Sequence, residues 1–572
     1  MRSNNSIFLP LLLIILVNIL FSVKDLSFDL TLDKKHSLSL ETKEILENLG
    51  DNVFIKVYLD GNLPIKFKYL KQEVVNLLLS FKSIAGKNLD FEFIDPNEFV
   101  TEEKKSDLFK QIVNDGVFPT DIKHSTKNSN IHQIIFPGAV IYFKDKKRSV
   151  NFLKNSITKN ADENINSSVE NLEFEFINSI HHLLKTKIDK IAFLEGNGEL
   201  KYQEVYDLTS SVIKDNYNLD YHYKIERFNI KEFQVDSVNM QPNFSNQIDL
   251  MNSYKVIIIA KPTIPFNILD KFLIDQYLMM GGKILWMVDG VDANMDSLRS
   301  QKSFIALQNN LNLSDQFFKY GFRINYNIIE DLRAAEIPII TGYSNNNPKQ
   351  NFFSWPYYPL LLSASEHPIS KGLDGIKCDF VSSIDTIKNN IKKTILLTSS
   401  KNSRINNAPA KITLSILETP PPLTSFNKQN LPIAVLLEGE FESVFKNRIF
   451  PKQHSLSFIE KSKGAKMIII SDGDIARNKV SKDGDIFPLG YDRFTKYTYP
   501  GNKTFLMNAI HYLCDDVGLT KLKSKELKLR LLDKKKILFH REIIQLINII
   551  LPIFIVLIFS FLFVRFKKKI YV

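Results

Sequence analysis

The sequence predicts an α/β protein whose larger domain is a doubly wound parallel sheet, with one transmembrane helix at each end. Three observations predict it. Short apolar runs alternate with stretches of helical periodicity, as in chains whose strands are joined by helices. Several of those runs are apolar throughout instead of alternating, the pattern of strands covered on both faces. Each end carries an uncharged apolar segment that a water-facing helix could not tolerate.

Composition bounds the problem before any element is placed. A chain of 572 residues is too long for one core and implies two or three domains. With 44% hydrophobic and 24% charged residues it lies in the globular range, away from disorder. The net charge of +11, from 74 Lys+Arg against 63 Asp+Glu, is a small excess without a dense basic face, which argues against a nucleic-acid binder. Two cysteines, Cys378 and Cys514, exclude a disulfide framework.

The elements follow in order. Ile7 to Val23 is uncharged and about 25 Å long as a helix. No small-residue cleavage pattern follows it, since Lys24, Asp25 and Leu26 come next, so an uncleaved anchor is expected over 7–23. Next, "NVFIKVYLD" (Asn52 to Asp60) reads as a strand, "YLKQEVVNLLLSFKSIA" (Tyr69 to Ala85) as an amphipathic helix and "LDFEFIDP" (Leu89 to Pro96) as a strand, together a βαβ unit. "GAVIYFKDKKRSV" (Gly138 to Val150) is a further strand with a charged tight turn near Asp145. This order resembles a thioredoxin-like domain, expected over 24–155. Where a CxxC would sit the chain has "DGNLP", so the thiols for redox chemistry are missing. The polar, Asn- and Ser-rich stretch Asn155 to Ser168 reads as a boundary.

A helical pattern at Val169 to Leu184 opens the second region, expected over 169–515. Strands are expected at Ile188 to Leu194, in "YKVIIIAKP" (Tyr254 to Pro262), in "KILWMVDG" and in "AKMIIISDGD" (Ala465 to Asp474). Helices are expected at Glu199 to Asn216 and at Leu269 to Gly282, the latter closed by glycine. In an open parallel sheet, ligands bind at loops following the carboxyl ends of strands. Three such loops, at 195–198, 289–292 and 472–474, make Glu195, Asn197, Glu199, Asp289, Asp472 and Asp474 the candidate ligand- or partner-binding residues.

Each loop also has a plainer reading. "EGNGE" has two glycines but carries Glu195 and Glu199, which repel phosphate, and no GxxxxGK[ST] loop occurs anywhere. Asp472 and Asp474 could ligate a hard cation; an Asp-Gly-Asp after a strand is more often a turn whose carboxylates cap backbone amides. No cofactor and no metal are therefore expected. His181 and His182 are neighbours on a helix, point in different directions and make poor joint ligands. Neither cysteine sits in a glycine elbow, so the nucleophile of an amidotransferase-like sheet is absent and no catalytic residue is assigned.

Ile543 to Val564 is a longer uncharged segment followed by Arg565, Lys567, Lys568 and Lys569, a cytoplasmic signature. With two spans, at 7–23 and 543–564, both termini lie in the cytoplasm and the bulk of the chain outside it. Between the second domain and this span, "LTKLKSKELKLRLLDKKKILFHR" (519–541) combines apolar residues at near-helical spacing with a basic remainder. Lys534, Lys535, Lys536 and Arg541 are its candidates for contact with headgroups or a membrane partner; a solvated connector is the alternative.

The stretches "FLEGNGEL", "MIIISDGDIARN", "PLGYD" and "NKTFLMNAIHYLCDDVGLTKLKSKELKLRLLDKKKI", with the two terminal spans, resemble the GldG family of gliding-motility-associated ABC-transporter auxiliary, or substrate-binding, proteins of Bacteroidota. The resemblance covers nearly the whole chain. It implies an inner-membrane protein with a large periplasmic portion, partnered by an ABC permease and a cytoplasmic ATPase. It also implies an ABC-auxiliary sheet domain similar to one in an intraflagellar-transport protein, with no catalysis assigned. Function then falls into three classes: a non-enzymatic transporter auxiliary, which is expected; a periplasmic solute receptor; and a metal-dependent membrane-anchored hydrolase.

Overall fold

The computed structural model describes residues 37–98, 102–126, 129–153, 161–210, 219–234, 243–344, 347–448, 458–524 and 541–570. They divide into two compact units. One holds the described residues 38–524, the other the helix at 541–570. The fold is mixed α/β.

In the first unit, β1 (Val53–Val57), α1 (Ile65–Ala85) and β2 (Leu89–Phe93) form the expected βαβ unit, with β1 and β2 parallel. Leu70, Val74, Leu78 and Phe81 recur at helical spacing and form the buried stripe of α1. After α2 (Glu102–Asn114), β3 (Gly138–Phe143) and β4 (Lys146–Asn151) make a tight hairpin turning at Lys144, which adopts φ 52°. The sheet order is β2-β1-β3-β4, with β3 antiparallel to β1.

Asn155 to Ser168, expected as a boundary, is helical from Ala161 onward; 154–160 lie outside the described residues. α3 (Ala161–Leu184) packs against α1 and β4 and so covers the N-terminal sheet. Its polar composition hides an apolar stripe of Ile165, Val169, Leu172, Phe176 and Ile180, all buried. Phe176 meets Phe81 at 6.4 Å and Phe152 at 5.5 Å between ring centroids.

The large sheet is built from β5 (Lys190–Glu195), β6 (Lys224–Asn229), β7 (Val256–Ala260), β8 (Lys283–Met287), β9 (Ala334–Ser344), β10 (Asn347–Ser363), β11 (Lys392–Thr398), β12 (Pro432–Gly439) and β13 (Ala465–Ile470). It has ten strands in the order β9-β10-β11-β12-β13-β8-β7-β5-β6, with the short strand Ile376–Lys377 paired to β10. Five neighbours, β13 through β6, are parallel. From β12 outward the pairing is antiparallel, so the all-parallel expectation applies to half the sheet. The antiparallel strands come from 334–439, where hairpins and loops replace the crossover helices that parallel pairing needs.

Alternate strand residues feed two cores. On one face, α4 (Ile268–Met279) sets Phe272, Leu273 and Tyr277 against Ile257, Ile259 and Trp286. On the other, α5 (Pro500–Cys514) sets Phe505, Leu506 and Ile510 against Ile258, Leu285 and Ile468. Asn267 caps α4 in a reciprocal box with Asp270, and Gly281 leaves the helix at φ 91°. The helix expected over 199–216 is only short turns at Tyr202–Val205 and Tyr206–Thr209; 211–218 lie outside the described residues.

In the second unit, α6 (Arg541–Ile570) carries a stretch, Arg541–Arg565, long and apolar enough to cross a membrane. The segment 7–23, Lys534, Lys535 and Lys536 lie outside the described residues; of the basic connector, Leu519–Ser524 is a short 3-10 turn.

Candidate functional site

Four adjacent parallel strands, β13, β8, β7 and β5, end on the same side of the sheet, and their following loops meet there. Lys261, the residue after β7, stands at the centre in a left-handed conformation, φ 52°. Its Nζ lies 3.1 Å from Asp289 Oδ2 and also pairs with Asp474 Oδ2. Asp289 Oδ1 accepts the Gly473 amide at 2.5 Å. A Cβ on Gly473 would come within 2.7 Å of Lys261 Cγ, so glycine is what permits the approach. Asp474 receives a second cation, Arg477 Nη1 at 3.3 Å, and Arg477 Nη2 lies 2.5 Å from Glu204 Oε1.

Asp472 is buried and caps backbone: Oδ2 accepts the Asp379 amide at 3.0 Å and Oδ1 the Asp474 amide at 2.7 Å. Burial, then the neighbouring Asp289 and Asp474, push its carboxyl well above the usual range. Burial also raises Asp289, against the opposing pull of Lys261. For Lys261 burial disfavours the charge, yet Asp289 and Asp474 outweigh it and hold the ammonium more basic than usual. Asp289, Asp472 and Asp474 are thus brought together, around a cation that the sequence reading did not single out. The available signal was the charged "AKP" closing a fully apolar strand.

The 195–199 loop forms a neighbouring, separate arrangement. Glu195 pairs with Arg227 Nε at 2.6 Å, and Arg227 Nη2 donates to the Leu200 carbonyl at 2.6 Å. That pairing weakens the repulsion of phosphate inferred from sequence. Asn197 is fully buried and clamps the loop to the start of α4: Nδ2 lies 3.3 Å from both Asp270 Oδ2 and the Pro265 carbonyl. Its carbonyl accepts the Thr263 and Ile264 amides at 2.9 and 2.8 Å. Glu199 Oε2 accepts the Asn197 amide at 2.7 Å, and burial raises its carboxyl above the ordinary value. Gly198, at φ 76°, has no room for a Cβ, which would meet Thr263 Oγ1 at 2.1 Å.

Beside the Lys261 cluster opens a cleft of about 400 Å³ lined by Glu204, Tyr358, Lys377, Asp379, Arg477 and Asp492, among others. Lys377 pairs with Asp379 at 2.8 Å and lies over the Tyr358 ring, 4.2 Å from its centroid. Asp492 Oδ1 accepts the Phe494 amide at 2.9 Å, and its buried Oδ2 has no hydrogen-bond partner among the described residues. Sequence reasoning missed this cleft because its wall comes from four distant segments. Among the described residues no group of three or more His, Cys, Asp or Glu has the arrangement to hold a metal ion. Cys378 and Cys514 are both buried, and burial pushes each thiol above its usual range. Arg541 is the first residue of α6, in the other unit.

A second cluster escaped the sequence because it joins four segments. The rings of His182 on α3, of His222, and of His511 on α5 pack in a row, His182 tilted against His222 and His222 edge-on to His511, with centroids 5.2 and 4.6 Å apart. Arg148 Nη2 on β4 lies 2.9 Å from His222 Nδ1, and the Tyr223 hydroxyl 2.8 Å from His511 Nδ1.

Residues 188–509 match the family described as an ABC-type uncharacterized transport system, and residues 32–142 a domain of unknown function. No curated protein matches. A solved structure titled "mmIFT52 N-terminal domain" matches with 12% identity over 57% of this chain and 97% of its own, at a TM-score of 0.29, too low to argue a fold from.

Proposed function

The chain belongs to the ABC-type uncharacterized transport system family, whose match covers more than half of it, and on that premise we propose that it is a non-catalytic, membrane-anchored auxiliary subunit of an ABC transporter. Membership of an ABC transport family implies association with a transporter; the permease and ATPase as direct partners, and the gliding-motility GldG branch, are our finer reading. So is an inner-membrane location with both termini cytoplasmic and the body periplasmic, supported by α6 and by the uncharged segment 7–23. We read 24–155 as thioredoxin-like, from the order β2-β1-β3-β4 with parallel β1 and β2. The region 169–515 we read as the doubly wound ABC-auxiliary domain, from five parallel strands with α4 and α5 on opposite faces.

The observation that carries the auxiliary reading is the engagement of the candidate carboxylates. Asp289 and Asp474 are held by Lys261, Asp472 by backbone amides, and Glu195 by Arg227. Such a cluster fixes the loops of a sheet edge as a shaped surface and leaves little charge for chemistry. We assign Glu195, Asn197, Glu199, Asp289, Asp472 and Asp474 to building that edge, and Lys534, Lys535, Lys536 and Arg541 to contact with headgroups or the permease. The test is purification of the full chain in mild detergent. A permease and an ATPase should co-purify, and Lys534–Lys536 changed to Glu should weaken their recovery. Recovery of neither subunit from the native membrane overturns the assignment.

A solute-receptor reading is favoured by the 400 Å³ cleft and the unpartnered Oδ2 of Asp492. Thermal-shift screening with small solutes separates it: a receptor is stabilised by its ligand by RT ln(1 + [L]/Kd). The hydrolase alternative would need Asp474, and Asp474→Ala with transport intact removes it.

A further inference from the structure

The cleft beside the Lys261 cluster is walled in part by residues that follow the carboxyl ends of β5, β8 and β13, where open parallel sheets take their ligands. Five cations and five carboxylates line it, so neither sign dominates. Most of them engage one another. Lys377 and Arg477 hold Asp379, Asp474 and Glu204, and Arg493 Nη2 lies 2.7 Å from Asp296 Oδ1. Three charges are left over. Lys201, exposed, and Lys479, half-buried, make no ion pair among the described residues. Asp492 is 1% exposed; its Oδ1 accepts the Phe494 amide, and its Oδ2 accepts nothing among the described residues. Lys377 acts on Asp492 through space, but its ammonium is committed to Asp379 and to the Tyr358 ring. A buried acceptor without a donor is destabilising and calls for one.

We propose that this cleft binds a zwitterionic solute, an α-amino acid or short peptide, with its ammonium against Asp492 and its carboxylate toward Lys479 and Lys201. The inference rests on the receptor reading of the cleft and names the ligand class for it. Unmet charges of both signs in one cleft favour a ligand that carries both, since a simple anion or cation would leave one pole unanswered. An ammonium suits Asp492 better than a guanidinium does: Oδ2 lies below the surface of the cleft, and a compact point charge enters a recess that a planar fork does not. The volume of about 400 Å³ is at the small end of ligand pockets and suits one or two amino-acid residues. Half-buried Tyr491 and Phe494 on the wall give an apolar side chain a surface to lie on.

The test is isothermal titration of the full chain in mild detergent with L-phenylalanine and with L-alanyl-L-phenylalanine, each beside its N-acetyl and its C-terminal amide form. One of the two zwitterions should bind saturably, and which one binds tells the amino acid from the peptide. Blocking either charge should weaken binding by about tenfold or more. Asp492→Asn keeps the Oδ1 acceptor for Phe494 and removes the anion, so it should weaken the zwitterion to a similar degree and leave the N-acetyl form unaffected; the unliganded melting temperature checks that it folds. Lys479→Gln, at a position without an ion pair to lose, should weaken the zwitterion and spare the amide form. Equal affinity for the zwitterion and both blocked forms overturns the proposal, and so does wild-type affinity in the two variants. The proposal also falls if neither zwitterion binds. A solute of another class that stabilises the chain in the thermal-shift screen then keeps the receptor reading, and silence across that screen removes both.

Discussion

At the scale of single residues, the site depends on a cation whose place the chain creates by leaving β7 in a left-handed turn. Lys261 is largely buried and faces two carboxylates, so removing its charge strands both. Lys261→Met should destabilise the protein by about 3 kcal/mol, the cost of breaking one partner out of a buried ion pair. Chemical denaturation measures it, and adding Asp474→Asn should recover part of the loss. A single variant as stable as wild type would mean that the pair is solvated and energetically idle. Asp472, Asp474 and Asp289 could be nominated from sequence because each follows an apolar strand. Lys261 closes an apolar strand in the same way, but that it meets those carboxylates was not legible, since which strand ends meet depends on strand order, and order is set by pairing between segments as distant as 256–260, 283–287 and 465–470.

Elements show the same division between local pattern and distant pairing. β1, β7, β8 and β13 were legible as apolar runs, β2 as an alternating one, α1 as a periodic stripe and α4 from the glycines that close it, because each is determined within its own few residues. α3 was legible only from Val169, since asparagine and serine in its first turns outweighed the spacing of Ile165. Phe176→Ala should cost about 3 kcal/mol as a large-to-small change in a tight core, and the loss should be seen first in the N-terminal sheet that α3 covers. Hydrogen exchange of β1 and β3 amides checks it; uniform loss across both sheets would show one cooperative core instead. α3 also carries the histidines. Burial, with His222, Arg148, Lys185 and His181 adding repulsion, holds His182 far below the ordinary imidazole value, and burial lowers His181 as well. Arg148 comes from β4, His222 and Tyr223 from the turn before β6, His511 from α5, and Asp189 and Asp515 are the nearby acids. The folded state resists protonation that the unfolded chain accepts near pH 6.5, so this contribution is complete above that pH and declines below it. Melting temperature should fall between pH 7 and 5, and the fall should be shallower in His182→Leu. An identical slope in both proteins would place the acid sensitivity elsewhere.

At the scale of the whole molecule, the described residues form one body at 38–524 and one apolar helix at 541–570. If the segment 7–23 is a second anchor, deleting 541–570 should leave the protein in the membrane fraction. Deleting residues 1–36 as well should release a body that melts as the full chain does. Release by the first deletion alone would assign all anchoring to α6. The order of the large sheet has a further effect, on how the body is made. Its middle strand, β13, joins the parallel half to the antiparallel half, yet it is specified last among the nine long strands, some 180 residues after its neighbour β8. During synthesis the apolar edge of the parallel half, β8, therefore waits unpaired until residues 465–470 arrive, whereas the antiparallel edge, β12, is made only shortly before them. Loop closure over that distance is slow, and open edges are prone to aggregation. The edge of the parallel half, complete at residue 287, is therefore the part of the body most exposed to mispairing as the chain is made.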